Sequence, residues 1–295
     1  GDWGMPIAQI IGYLEKHDLD IEKISIDDLE EIYPNASKFY KDDNEFKDYS
    51  QSINKRLNEN DKGLIKKWEK IKIVSTESIK KILNLLNHNF DIWMGESDVN
   101  NLIPELIKDL DKKGKISIDN GAYVSNFKSE PKILITKSDG SYLYLTTDLA
   151  TVINRLEKSD FDKTLYVVDK RQKLHFEQLF DSLDYFEFEK REYEHISFGT
   201  INDANGNPFK TRAGDTKKLS ELFEETCHYI KKINPKLDEE TNKILANTVL
   251  TFSDLITNRM TDYKFDLDKF TNISGKTGIY VQYALVRAKK LLKSS

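Results

Sequence analysis

Apolar residues recur three or four positions apart through most of the stretch from residue 9 to residue 90. The segments "DDLEEIYPNASKFYKDDNEFKDYSQSINKRL" and "GLIKKWEKIKIVSTESIKKILNLL" carry mixed charge between those apolar positions. That periodicity predicts amphipathic helices joined by polar connections. Residues 1–8, with two glycines and a proline, predict a loop, and Pro34-Asn35 predicts a break. The period changes at "NFDIWMGESDV", where Phe90, Ile92 and Met94 alternate with Asp91 and Trp93 and predict a short strand ending at Gly95. "VNNLIPELIKDLDKKG" predicts a helix capped by Gly114, and "KISIDNGAYVSNF" a hairpin turning at Asp119-Asn120-Gly121.

Strand-like and helical runs then alternate. "PKILITKSDGSYLYLTT" predicts two strands about Ser138-Asp139-Gly140, the second closing at Tyr144, and "TDLATVINRLEK" a helix. "TLYVVD" has the form of a buried parallel strand. "KLHFEQLFDSL" predicts a helix with Phe176, Leu179, Phe180 and Leu183 on one face, and "EYEHISFGTI" a further strand. The order implies an α/β fold with a parallel sheet and right-handed crossovers. Beyond a basic loop, Leu219, Leu222, Phe223, Thr226, Ile230 and Ile233 form one helical stripe. A second helix is predicted from about Glu239 to Arg259, and the last segment, "TGIYVQYALVRAKKLLKSS", is helical in pattern with a basic end.

Composition narrows the class. A chain of 295 residues with 38% hydrophobic and 11% aromatic residues can bury a sizeable core. Its lone Cys227 excludes an internal disulfide and a multi-thiolate zinc cage, and its five scattered histidines lack metal-ligand spacing. No run of about 18 apolar residues suits a membrane span. A soluble, cytoplasmic protein without membrane partners is expected. The net charge of −5 does not argue against nucleic acid, because local clusters set such contacts.

Four stretches carry candidate chemistry, each with a plainer alternative. In "YLYLTTDLA", Asp148 and Tyr144 offer a carboxylate and a flat π face, which suit a guanidinium or ammonium. Aspartate in the first turn of a helix is equally favoured by capping and the helix dipole. In "MGESD", Glu96 either supplies a second carboxylate to that pocket or merely precedes a helix. In "VVDKRQKLHFEQ", Gln172 suits a polar small molecule, and His175 either contacts a phosphate or packs as a hydrogen-bonded histidine. In "NGNPFKTRAGDTKKL", Lys210, Arg212, Lys217 and Lys218 surround Gly214. Such cations either clamp phosphate as charge develops on a leaving group or form a solvated loop. Walker and dinucleotide motifs are absent; "GKT" at 275–277 has Phe270 where the first glycine is required.

Taken in order, "GDWG" (1–4), "GES" (95–97), "KSDGSYLYLTTDLA" (137–150), "YVVDKRQKLHFEQLF" (166–180), "FGTI" with "GNPFKTRAGDT" (198–216) and "TGIYVQYALVRA" (277–288) resemble the arginyl-tRNA synthetases, class I aminoacyl-tRNA synthetases. The resemblance implies a Rossmann-like catalytic domain over 1–200, with helical insertions at about 9–66 and 97–133. It further implies a KMSKS-type loop and helical stem over 201–270, and the start of an anticodon-binding helical domain over 271–295. Glu96 and Asp148 would recognise the guanidinium, Tyr144 would pack beside it, and Gln172 would hold the backbone end of arginine. Lys210 and Arg212 would cradle the ATP phosphates, with His175 near the ATP site. Arginine, ATP accompanied by Mg2+, and tRNA are the implied partners, and a monomer is favoured. The class I H-x-G-H signature should lie upstream of "GDWG", since no two histidines here are three apart. The segment is therefore expected to be a fragment, inactive alone and short of a central strand. An alternative expectation is a paralogue that keeps the arginine pocket for sensing or regulation. A structural tRNA-binding role for the terminal basic helix, with Arg287, Lys289, Lys290 and Lys293, ranks last.

Overall fold

The computed structural model describes residues 2–138, 140–202 and 218–294. It divides into two compact units, residues 1–74 with 92–197, and residues 75–91 with 198–295.

The first unit opens with helices α1 (Met5–Lys16), α2 (Ile26–Asp42) and α3 (Asn44–Asn58) and the first part of α4 (Lys62–Leu85). The chain turns into α1 earlier than its sequence predicts. Gly4 takes a φ of 87°, and Pro6 falls in the first turn, where a missing N–H leaves no bond unmade. A reciprocal cap starts α2. The Asp28 N–H donates to Ser25 Oγ (3.2 Å), and the Ser25 N–H donates to the Asp28 carboxylate (2.8 Å). Pro34 does not break α2, which continues to Asp42. An interior proline costs about 3 kcal/mol. Burial of Leu29 and Ile32 before it and Ala36 after it offsets that, at about 1.5–3 kcal/mol for each large side chain. Asp43 accepts the Phe46 N–H (3.1 Å) at the start of α3, and Asp61 accepts the N–H groups of Gly63 and Leu64 (2.9 and 3.1 Å) at the start of α4. Ile7, Ile11 and Leu14 meet Ile53, Leu57, Leu64 and Ile71 in one core.

The rest of this unit carries α5 (Ile103–Lys112), strands β1 (Ile116–Asp119) and β2 (Ala122–Ser125), α6 (Tyr144–Lys158), β3 (Lys163–Asp169), α7 (Lys173–Tyr185) and β4 (Glu192–Phe198). Gly114 follows α5 at φ 66°, as the capping role requires. β1 and β2 form the expected antiparallel hairpin, with Asn120 and Gly121 at φ 50° and 81°, both in the left-handed region. The nearest atoms to a Cβ on Gly121 would be those of Ser138 at 3.6 Å or more, an ordinary contact. Gly121→Ala is therefore expected to cost backbone energy alone, about 1–2 kcal/mol. A urea unfolding midpoint measures it.

Three strand predictions need correction. Residues 90–94 form no strand, with a bend at Asp91, and Phe90 is 57% exposed. Among the described residues of 131–143 the pairing is limited to isolated bridges, Val124 with Leu134 and Thr136 with Tyr142. Tyr144 opens α6 instead of closing a strand, which moves Asp148 from the first helical turn to the second. Leu145, Leu149 and Val152 recur at helical spacing on the buried side of α6, and the Thr146 hydroxyl binds the Ile135 carbonyl. β3 pairs with β4, and the Glu192 N–H donates to the Asp162 carbonyl (3.1 Å), so both strands start side by side, as in a parallel pair joined through α7. β3 is covered on one face only. Tyr166 is buried against Phe176, whereas Leu165 and Val167 are 53% and 64% exposed.

The second unit packs α8 (Leu219–Ile233) on α9 (Glu239–Ile256). The α8 stripe is buried at Leu222, Phe223, Thr226 and Ile230 and exposed at its ends, Leu219 and Ile233. α9 stops at Ile256, three residues short of Arg259. β5 (Ile201–Asn202) and β6 (Tyr263–Lys264) pair in parallel, followed by α10 (Leu267–Phe270) and α11 (Gly278–Ser294). The architecture is α/β with predominant helix, as the residue pattern implies.

Candidate functional site

A cleft of about 130 Å³ opens in the first unit, room for roughly ten waters at ~10–15 Å³ each. Trp3 and Met5 from the N-terminal turn, Asn54 and Asn58 from α3, and Tyr144 and Thr147 from α6 line it. Glu96 and Lys137 are the charged side chains on its walls.

Glu96 begins a 3₁₀ segment, Glu96–Leu102, and both its neighbours are tied down. The Gly95 N–H donates to Asp98 Oδ2 (2.7 Å). The Ser97 N–H and hydroxyl donate to the two oxygens of Asp2 (3.1 and 2.6 Å). Lys72 on α4 pairs with Asp2 (2.8 Å) and Asp98 (3.6 Å), donates to Ser97 Oγ (2.7 Å), and lies over the Trp68 ring. Trp68 Nε1 in turn donates to the Asp2 carbonyl (2.6 Å). A glycine is required at position 95, where a Cβ would lie 2.5 Å from Asp2 Cγ and 2.6 Å from its Oδ1.

Burial pushes the Glu96 carboxyl above the usual carboxylate range, and the negative charges of Asp2 and Asp148 push it further. Burial also raises the Tyr144 phenol, with the Glu96 charge adding to it. Asp2 goes the other way. Its burial is outweighed by hydrogen bonds from Lys72 and Ser97, which hold it ionised below the usual range. A cation bound beside Glu96 would favour its ionised form against that burial.

The residues singled out from sequence fall in different places. Glu96 and Tyr144 share the cleft, with Tyr144 66% exposed at its rim. Asp148 lies one turn along α6 from Tyr144, close enough to act on Glu96, but one of its oxygens takes a hydrogen bond from His175 Nε2 (2.7 Å). His175 also packs edge-on against Phe176. Gln172 ends a 3₁₀ turn, Lys170–Gln172, at the mouth of α7; it is exposed and does not line the cleft. Lys210 and Arg212 lie outside the described residues.

Sequence reasoning missed Asp2, Lys72, Ser97 and Lys137 as individual residues. Asp2 and Ser97 sit inside the quoted "GDWG" and "GES", but nothing in either string says that they meet across 95 residues. Lys72 belongs to an amphipathic helix among Lys66, Lys67 and Lys70, and spacing alone does not separate it from them. Among the described residues, no group of three His, Cys, Asp or Glu side chains could hold a metal ion, and no helix is long and apolar enough to cross a membrane.

A ring-edged cleft at the start of a helix in an α/β unit lies where small molecules commonly bind. The family model described as tRNA synthetases class I (R), catalytic domain, matches residues 1–267, and the chain belongs to that family. It is 36% identical over 314 residues to the arginine–tRNA ligase of Francisella tularensis subsp. holarctica (strain FTNF002-00 / FTA), covering 99% of this chain and 54% of that protein. It is 34% identical over 322 residues to the arginine–tRNA ligase of Alkaliphilus oremlandii (strain OhILAs), covering 99% of this chain and 55% of that one. The crystal structure of arginyl-tRNA synthetase from Plasmodium falciparum superposes with a TM-score of 0.79 at 25% identity, over 100% of this chain and 51% of that one. Thermus thermophilus arginyl-tRNA synthetase, at 16% identity and a TM-score of 0.67, shares the fold, over 97% of this chain and 55% of that one. The chain spans about half the length of the curated relatives it matches.

Proposed function

We propose that this chain supplies the arginine-reading and activating part of an arginine–tRNA ligase acting in the cytoplasm. The observation that carries the proposal is that Glu96 lines the cleft with Asp148 close enough to raise its carboxyl. Two carboxylates near a cleft with an aromatic rim suit a permanent planar cation. Glu96 and Asp148 take the guanidinium N–H groups from two sides, and Tyr144 offers its ring face. His175 keeps Asp148 turned toward the site, which its 2.7 Å bond favours over a free role at ATP. Gln172 meets the ammonium and carboxylate end as that end extends toward α7.

In the first step an arginine carboxylate oxygen attacks the α-phosphorus of ATP, a P–O bond forms, and pyrophosphate leaves with its electron pair. Lys210 and Arg212 stabilise the charge that develops on the leaving group, and Mg2+ arrives with the nucleotide as part of the substrate. In the second step a tRNA 3′-terminal hydroxyl attacks the activated carbonyl and AMP departs. Residues 1–200 serve the chemistry, 201–270 carry the phosphate loop and its stem, and 271–295 begin a tRNA-facing helical domain. A monomer suffices for these roles.

The test is ATP–pyrophosphate exchange by the product of the complete coding sequence, with and without tRNA. Arginine is expected to support exchange and lysine is not, because an ammonium cannot satisfy two carboxylates in the fork geometry. Exchange driven by lysine in place of arginine overturns the proposal.

A further inference from the structure

We propose that Asp2, Lys72 and Ser97 form a positioning clasp that holds Glu96 against the cleft and balances the negative charge beside it. The inference rests on the cleft's taking a cationic amino acid. Its geometric basis is that residues on both sides of Glu96 are pinned while the Glu96 side chain lines the cleft. Gly95 is fixed through Asp98, and Ser97 through both oxygens of Asp2. Lys72 reaches Asp2, Asp98 and Ser97 at once. Nothing in that network binds the cleft's ligand; it acts through Glu96.

Charge gives the clasp a second consequence. Asp2 raises Glu96 through space, and Lys72 sits on Asp2 at 2.8 Å. Asp2 from the N-terminal turn and Asp148 from α6 act on Glu96, Lys137 and Tyr144 share the cleft with it, and Lys72 and Asp98 lie one contact further out, around Asp2. His175 stands behind Asp148, and α3 adds only the neutral Asn54 and Asn58. Removing one member of the Asp2–Lys72 pair therefore changes the charge beside Glu96, with opposite sign in the two cases. Asp2→Asn removes an anion that raises Glu96, while Lys72 stays paired with Asp98, and makes Glu96 ionise at lower pH. Lys72→Met leaves an excess anion and makes it ionise at higher pH. A purely structural clasp would not reverse sign.

The experiment is calorimetric titration of arginine into the product of the complete coding sequence, from about pH 4 to pH 8, a window that spans carboxylate and histidine titration. Wild type is expected to lose affinity as pH falls through the Glu96 transition. That midpoint should move down in Asp2→Asn and up in Lys72→Met, and Lys72→Arg should restore it. Where Glu96 is fully ionised, Asp2→Asn and Lys72→Met should each bind arginine on the order of 10-fold less tightly, the low end of what a lost supporting contact costs. Midpoints that stay put or move together overturn the clasp while leaving the arginine site standing. If Lys72→Met does not fold, the Asp2→Asn shift alone decides, downward for the clasp and absent against it. A wild type that binds no arginine at any pH overturns the functional proposal itself.

Discussion

Glu96→Gln is expected to weaken arginine binding by at least about 30-fold and, in the same protein, to raise the melting temperature when no ligand is present. The binding loss follows from removing one side of a charge-assisted contact that leaves the guanidinium partly unpaired, which costs roughly 2–5 kcal/mol. The gain in stability follows from the direction of the Glu96 shift. Burial first, then Asp2 and Asp148, lift this carboxyl above its unfolded value. Folding therefore favours the protonated form. The stability this group contributes is present at low pH and is lost as pH rises through the raised folded value. Above that raised value the wild-type side chain is ionised at a cost to the fold, and the neutral glutamine removes that cost. Calorimetric titration and differential scanning calorimetry on one preparation check both halves. A glutamine variant that binds arginine like wild type removes Glu96 from the site. A variant that melts lower means the carboxylate is holding the fold together instead of waiting for a cation.

Opposed effects on stability and binding mark a residue whose environment serves a ligand more than the fold. The same pattern separates what sequence made legible from what it did not. The hairpin at Asn120-Gly121 was readable because two successive left-handed residues leave a chemical signature in the chain itself. The faces of α7 and α8 were readable because burial repeats at helical spacing. Strand endings were less readable. Tyr144 sits in a β-rich run, yet the tertiary burial of Leu145, Leu149 and Val152 draws it into a helix. Pro34 is a local breaker that burial on both sides overrides. Glu96 and Tyr144, which line the cleft, stand out as candidates from residue type and position, while their roles rest on the resemblance to the arginyl-tRNA synthetases. The Asp2–Ser97 contact could not, because it joins residues far apart in the chain through a bond that neither local sequence encodes. The Asp148–His175 bond likewise joins two residues that sequence had assigned to different ligands.

Gly95→Ala is expected to destabilise the protein by about 2–4 kcal/mol and to reduce arginine affinity on the order of 100-fold. The new Cβ would enter the space of the Asp2 carboxylate, 2.5 Å from its Cγ, where no real contact persists. Overlap of this kind costs about 1–3 kcal/mol in packing. The carboxylate has no inexpensive escape, because the Ser97 N–H, the Ser97 hydroxyl and Lys72 all hold it. If Asp2 swings away, those donors lose a charged acceptor, at about 1.5–3 kcal/mol for such a bond. If the backbone yields instead, residues 95–97 shift and carry Glu96 out of register with the cleft, and small displacements of a positioned group weigh heavily on its function. Gly114→Ala serves as the contrast: it carries the strain of a left-handed residue but meets no atom within 4 Å, and it should leave arginine binding intact. The decisive measurement is a double-mutant cycle of Gly95→Ala with Asp2→Ala, followed by urea unfolding. Truncating Asp2 removes the object of the clash, so the two losses should fall short of additivity by about 1 kcal/mol or more. Additive losses would mean that the glycine is required for some reason other than the approach of Asp2.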